Sequence, residues 1–221
     1  MAIKPKFVMA SCSPRRRELI QMFDLQIIMA KPDLDENMYD TDESPHDLVL
    51  RLSMEKVNSV HYDDIDAAVI LGADTIVVLD NRVIGKPSDV SDAINILNKL
   101  KGRSHLVMTG ITALDLRSNK YLSTVTTTKV FMRNYTSEEM KLYADSKLPL
   151  DKSGGYGIQD SPFNPVKNVA GCYYNVVGLP ICEVKNLLDL FELEASLKHN
   201  CRFLDKCHDC HLRQSKTGNM S

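Results

Sequence analysis

Asp74 and Thr75 interrupt an otherwise apolar run, "VILGADTIVVLD". Burying a carboxylate in the middle of a strand is unfavourable unless it is paired or holds a metal. Asp74 therefore reads as a metal ligand or as a general base that activates water. The plainer alternative is a strand-end Asp after a hydrogen-bonded turn at Gly72-Ala73. A second signal is "SCSPRRRELI", Ser11 to Ile20. Ser13 suits a helix N-cap and Pro14 the first helical position. Arg15, Arg16 and Arg17 follow, where the helix dipole repels cations. A phosphate there would reverse the repulsion, because helix-start N–H groups and forked guanidinium groups both suit its oxygens. Three solvated arginines are the alternative, and the absence of glycine excludes a phosphate-binding glycine loop.

Three further segments carry weaker signals. Lys86 in "VIGKPSD" and Lys56 in "LRLSMEKVNS" are phosphate counter-charges or ordinary solvated lysines. Glu36, in the acidic stretch "KPDLDENMY", is a hard-cation ligand or part of a solvated loop. The glycines of "LDKSGGYGIQD" permit close backbone approach, and the Gln159 amide offers a donor and an acceptor to a base edge. A glycine-rich turn without a ligand is the alternative.

These residues must be positioned by a fold of strands and helices. Strands are expected at "KFVMAS", "QIIMA", "AAVILGADTIVVLD", "RVIG", "HLVMTGITALDL", "YLSTVTTTKVFM" and "YYNVVGLP", with a hairpin turn at Asp80-Asn81. Helical periodicity marks "SPRRRELIQMF", "SPHDLVLRLSMEKVNSVH", "SDAINILNKLKG", "TSEEMKLYADS" and "ICEVKNLLDLFELEASLKH". Ser44-Pro45 and Ser91 read as helix starts, and Gly102 as a stop. Hairpins break the strand–helix alternation, so the fold class is α/β with a mixed sheet.

The composition narrows the function classes. With 221 residues, 43% of them hydrophobic, the chain can bury a substantial core. A net charge of -2 disfavours a nucleic-acid binder. No apolar run approaches a membrane span, and "MAIKPKFVMAS" does not read as a signal peptide, so a cytoplasmic protein is expected. Cys12, Cys172 and Cys182 read as reduced thiols.

Together the segments "SCSPRRRELI", "LDENM", "EKV", "GADTIVV", "GKP", "LKGRSHLVMTG", "DKSGGYGIQD" and "VVGLP", in that order, resemble the Maf family of nucleoside triphosphate pyrophosphatases. The resemblance implies a two-lobed α/β structure with a long mixed, twisted sheet and the active-site cleft between the lobes. It implies hydrolysis between the α- and β-phosphates with a divalent cation, Mg²⁺ or Mn²⁺, in an enzyme that removes surplus or non-standard nucleotides. Homodimers are common in the family. Asp74 then corresponds to the proton acceptor, with Glu36 beside it at the metal. Ser11, Ser13, Arg16, Lys56 and Lys86 match phosphate-binding positions. Arg15, Thr75 and Gln159 match the positions that distinguish members acting on dTTP and UTP, which implies a dTTP/UTP pyrophosphatase here, with modified pyrimidines as further expected substrates. The rivals are a nucleotide-sensing regulator of cell division or septation without turnover, and a pyrophosphatase of different base specificity such as one for inosine triphosphate.

Two departures from the family pattern stand out. Asp160 occupies a position where the family usually has glycine, adding negative charge near the base pocket, and Pro162 and Pro165 limit strand pairing after it. The expected domain spans 1–193, and residues 194–221 form a Cys/His-rich extension read as flexible. Cys201, Cys207, Cys210 and His211 offer a zinc set there, against a tail with reactive thiols. "CHDCH" also matches a haem-attachment pattern, which the missing export signal makes a poor fit.

Overall fold

The computed structural model describes residues 6–34, 43–61, 68–193 and 195–198. Among them is an open, mixed seven-stranded sheet. Strands β1 (Lys6–Ala10), β2 (Gln26–Ala30) and β3 (Val69–Leu79) run parallel in the order β2-β1-β3. Beyond β3 the antiparallel strands β5 (Ser104–Asp115), β6 (Lys120–Met132) and β7 (Val166–Ala170) complete the order. The short β4 (Arg82–Ile84) folds back on the end of β3 through Asp80 and Asn81, both at positive φ as a tight hairpin requires.

Helices α1 (Pro14–Ile20), α2 (Pro45–Asn58), α3 (Val90–Leu100), α4 (Ser137–Asp145), α5 (Tyr173–Val177) and α6 (Ile181–Leu190) cover the sheet. Their caps follow local chemistry. Ser13 and Ser44 accept from the third helical N–H with proline behind each, and Thr136 with Glu139 forms a full capping box. The cap of α3 is Asp89, two residues before the expected Ser91, because its side chain takes the Asp92 N–H. Gly102 lies just past the end of α3 at φ +67°, in keeping with a stop.

One expected strand does not form. "YYNVVGLP" is not a strand: Cys172 caps Tyr173–Val177 as a helical turn, and Gly178 ends it at φ +123°. Local capping overrides the β-branched and aromatic composition. The prolines limit pairing: both precede β7, an edge strand of only five residues that pairs with Lys129–Met132 around a bulge. A further correction concerns Cys182, which is disulfide-bonded, whereas Cys12 and Cys172 are in no disulfide. Its partner lies outside the described residues, and sequence spacing cannot reveal such a through-space approach.

β3 and β5 are long enough to serve two cores. Val69, Leu71 and Ala73 of β3 pack with Ile111 and Ala113 of β5 against α1 and α6. Val77 and Leu79 pack with Val107 against α3 and α4. Thr75 falls between these two lobes, and Asp74 turns to the opposite face beneath α2, between the clusters of Ile70 with Val57 and of Ile76 with Leu52. Past the boundary at 193, residues 195–198 lie along 22–24, with Phe23 bridged to Leu197 and Asp24 N donating to Ser196 O at 2.8 Å. No described helix is long and apolar enough to cross a membrane.

Candidate active site

The pairing of β3 creates the opening. On one edge β1 pairs only as far as Ala10↔Gly72, and β4 begins at Ile84↔Val77. Between them no described strand pairs with Ala73–Ile76 on that edge, just beyond the carboxyl ends of the parallel strands. That is where open α/β sheets gather ligands. A cleft of about 630 Å³ lies there, the size of an ordinary small-molecule site.

Every sequence-derived candidate within the described residues lines this one cleft. Ser11, Ser13, Arg15 and Arg16 come from the β1–α1 turn, and Lys56 from α2. Asp74 and Thr75 come from β3, Lys86 from the loop after β4, and Gln159 from the loop after the glycines. Glu36 lies outside the described residues, as do Cys201, Cys207, Cys210 and His211.

Lys56 is 2% exposed and Asp74 9%, and Lys56 Nζ meets Asp74 Oδ1 at 2.6 Å. Burial on this scale requires each charge to have its partner. The approach depends on two glycines. A Cβ on Gly72 would stand 2.2 Å from Ser53 O, and one on Gly110 2.1 Å from Val49 O, so the α2 backbone rests directly on the sheet. Gly72 is two residues before Asp74 on the same face, and Gly110 is its cross-strand partner. The expected turn at Gly72-Ala73 is absent, and the glycine serves close helix packing instead.

The arginines answer to the protein first. Arg16 Nε donates to Gly178 O at 2.9 Å, one terminal nitrogen to Thr75 Oγ1 at 3.0 Å and the other to Ser11 Oγ at 3.4 Å. It thereby ties α1 to β3 and to the end of α5. Arg15 pairs with Asp151 at 3.1 Å. Burial alone would raise the Asp151 pKa, but hydrogen bonding to Lys152 and the charges of Arg15 and Lys152 outweigh it and hold it below the usual range. Helix-dipole repulsion of these two arginines is thus offset by protein partners. Thr75 Oγ1 also lies 2.9 Å from Thr109 Oγ1. Gln159 is exposed on the rim.

The sequence reading missed several lining residues. Lys31 follows the carboxyl end of β2, a position that by itself could have flagged it. Asp151, Lys152 and Tyr156 sit in the segment noted for its glycines, and its charged and aromatic members were passed over. Tyr156 is held from behind by His105 Nε2 at 2.7 Å. Burial lowers the His105 pKa to about 4 and raises that of Tyr156, so both stay neutral near pH 7.

A divalent cation suits the donors present. Asp74 Oδ1 belongs to Lys56, and no described residue bonds Oδ2, a hard oxygen at the cleft wall. No group of three or more His, Cys, Asp or Glu side chains among the described residues forms a metal cage. That donor set fits an ion held by one or two carboxylates together with substrate phosphates.

Residues 6–191 match the Maf-like protein family. The chain is 38% identical over 189 residues to the dTTP/UTP pyrophosphatase of Dictyoglomus turgidum, covering 86% of this chain and 97% of the relative. It is 40% identical over 179 residues to that of Carboxydothermus hydrogenoformans, covering 81% and 95%. With that of Dehalococcoides mccartyi it shares 34% identity over 212 residues, covering 96% and 94%.

Proposed function

Because the chain belongs to the Maf family, we propose that it hydrolyses dTTP and UTP to the nucleoside monophosphate and pyrophosphate. The observation that carries this reading is the buried Lys56–Asp74 pair at 2.6 Å, set in a cleft whose rim is cationic. Residues 1–193 form the catalytic domain.

Asp74 accepts a proton from the attacking water at Oδ2, the oxygen that Lys56 leaves unbonded. Lys56 fixes the carboxylate through Oδ1, so the base does not swing with solvent. Lys31 and Lys86 at the rim, with Ser11 and Ser13 of the β1–α1 turn, bind phosphate oxygens. Their charge offsets the negative charge that builds on the leaving pyrophosphate. Arg16 contributes charge beside the same turn while its nitrogens orient Thr75. Glu36 and Asp74 would hold Mg²⁺ or Mn²⁺ with the substrate, the Asp74 carboxylate having lone pairs on both oxygens to serve ion and proton, and the ion would supply charge neutralisation at the phosphoanhydride. Arg15, Thr75 and Gln159 read the pyrimidine. A homodimer working in the cytoplasm, where surplus or non-standard nucleotides arise, belongs to the same proposal.

Pyrophosphate release from dTTP, UTP, CTP, dITP, GTP and 7-methyl-GTP, with and without Mg²⁺ or Mn²⁺, tests the reading. Metal-dependent turnover confined to dTTP and UTP is expected, with none from Asp74→Asn. Turnover of a purine instead would keep the reaction and overturn the pyrimidine assignment. Release from no nucleotide would overturn the activity.

A further inference from the structure

After Tyr156 the cleft wall doubles back in a tight turn. Asp160 N donates to Gly157 O at 3.1 Å, and the turn carries Ile158 and Gln159 at its tip. The turn is gripped from outside. Tyr143, on α4, accepts from Gly157 N at 3.2 Å and donates through its hydroxyl to Asp160 Oδ2. Lys152 Nζ stands 3.3 Å from that same oxygen. It also hydrogen-bonds Asp151 Oδ1 at 3.0 Å and the Leu148 carbonyl. The Tyr143 ring is stacked on Phe163, centroids 4.2 Å apart and planes 15° from parallel. The Asp160 carboxylate lies so close over Gly157 that a Cβ there would meet Oδ1 at 2.6 Å.

The negative charge of Asp160 is therefore met by Lys152, which is only 8% exposed. Hydrogen bonds to a charged group are among the stronger ones, so this arrangement resists loosening. The side-chain bonds of Tyr143, Lys152 and Asp160 run to one another, to Gly157, to Asp151 and to the Leu148 carbonyl, whereas Asp74 is paired with Lys56 of α2.

We propose that Asp160, Tyr143 and Lys152 are positioning residues for the nucleoside end of the substrate: they lock the Gly157–Asp160 turn, hold Gln159 at the rim, and set base affinity while leaving the phosphate chemistry alone. The proposal rests on the cleft being a nucleotide site.

Two variants separate this role from a general structural one. Tyr143→Phe keeps the ring and its stack and removes only the bridging hydroxyl. Asp160→Asn keeps the shape and removes the charge. Each is titrated with thymidine monophosphate and, separately, with inorganic pyrophosphate, and assayed for KM and kcat on dTTP. Losing one charge-assisted contact should weaken thymidine monophosphate binding about tenfold and raise KM similarly. Pyrophosphate affinity and kcat should stay within about twofold, because a phosphate subsite that is not displaced keeps its contacts. Monophosphate affinity equal to wild type overturns the proposal, and so does an equal loss for pyrophosphate. If Asp160→Asn melts early, Tyr143→Phe decides. Wild-type protein that binds neither probe overturns the nucleotide reading itself. Wild-type turnover of dTTP matched by both variants overturns only the positioning role.

Discussion

Gly110→Ala gives the sharpest test of how the fold builds the site. The added Cβ would stand 2.1 Å from Val49 O and 2.4 Å from Val49 C, both backbone atoms of α2 that cannot rotate aside. Ordinary contact begins at about 3.4 Å, so α2 must retreat by at least roughly 1 Å or the sheet must buckle by as much. Lys56 rides on that helix. A shift of this size stretches its 2.6 Å bond to Asp74 to about 3.6 Å, past hydrogen-bonding range. Overpacking of this kind costs about 1–3 kcal/mol. For a chain of this length that is a fall of roughly 2–12 °C in Tm. Misplacing a reacting group by about 1 Å lowers turnover by roughly a hundredfold. Differential scanning calorimetry and pyrophosphate release at saturating dTTP measure the two effects. A variant with wild-type Tm and kcat would refute the packing account. A lowered Tm with full kcat would show that turnover does not depend on the Lys56–Asp74 contact.

Two more outcomes follow from buried polar groups. Burial depresses the His105 pKa to about 4, so between that value and about 6.5 the unfolded chain binds a proton that the folded chain does not. Stability is then full above about pH 6.5 and falls by roughly 3 kcal/mol towards pH 4. Urea melts across that range should lose this slope in His105→Gln, and an unchanged slope would assign it to other groups. Arg16→Lys keeps the charge and loses the fork that reaches Gly178, Thr75 and Ser11. The nucleotide-free protein should then lose about 1–3 kcal/mol, because buried acceptors go unmet. A nucleotide-free Tm equal to wild type would show that Arg16 serves phosphate alone.

What the sequence made legible follows a pattern. Asp74 stood out because an isolated charge in an apolar strand is chemically conspicuous, and the motifs around it carried the family. Strand and helix types were readable wherever periodicity ran for several residues, as in β3, β5 and α2. Tyr173–Val177 was not, because five residues are too few for helical periodicity to outweigh their composition. The use of Arg16 was hidden for a different reason. Its acceptor on Gly178 is 162 residues away, and no local pattern records a side chain that braces a distant turn. The same holds for Gly110 beneath α2, where the informative fact is a distance in space.

The sharing of β3 and β5 between the two cores has a consequence for how the protein can come apart. Ten successive register pairs, Val69↔Asp115 through Val78↔Leu106, run without interruption past the site. A fragment ending between these strands would leave each lobe with half of its central sheet, so neither lobe is expected to exist alone. Heat or denaturant should dissolve both in one transition. A nucleotide seated at Asp74, midway along the shared strand, then stabilises both ends of the molecule together.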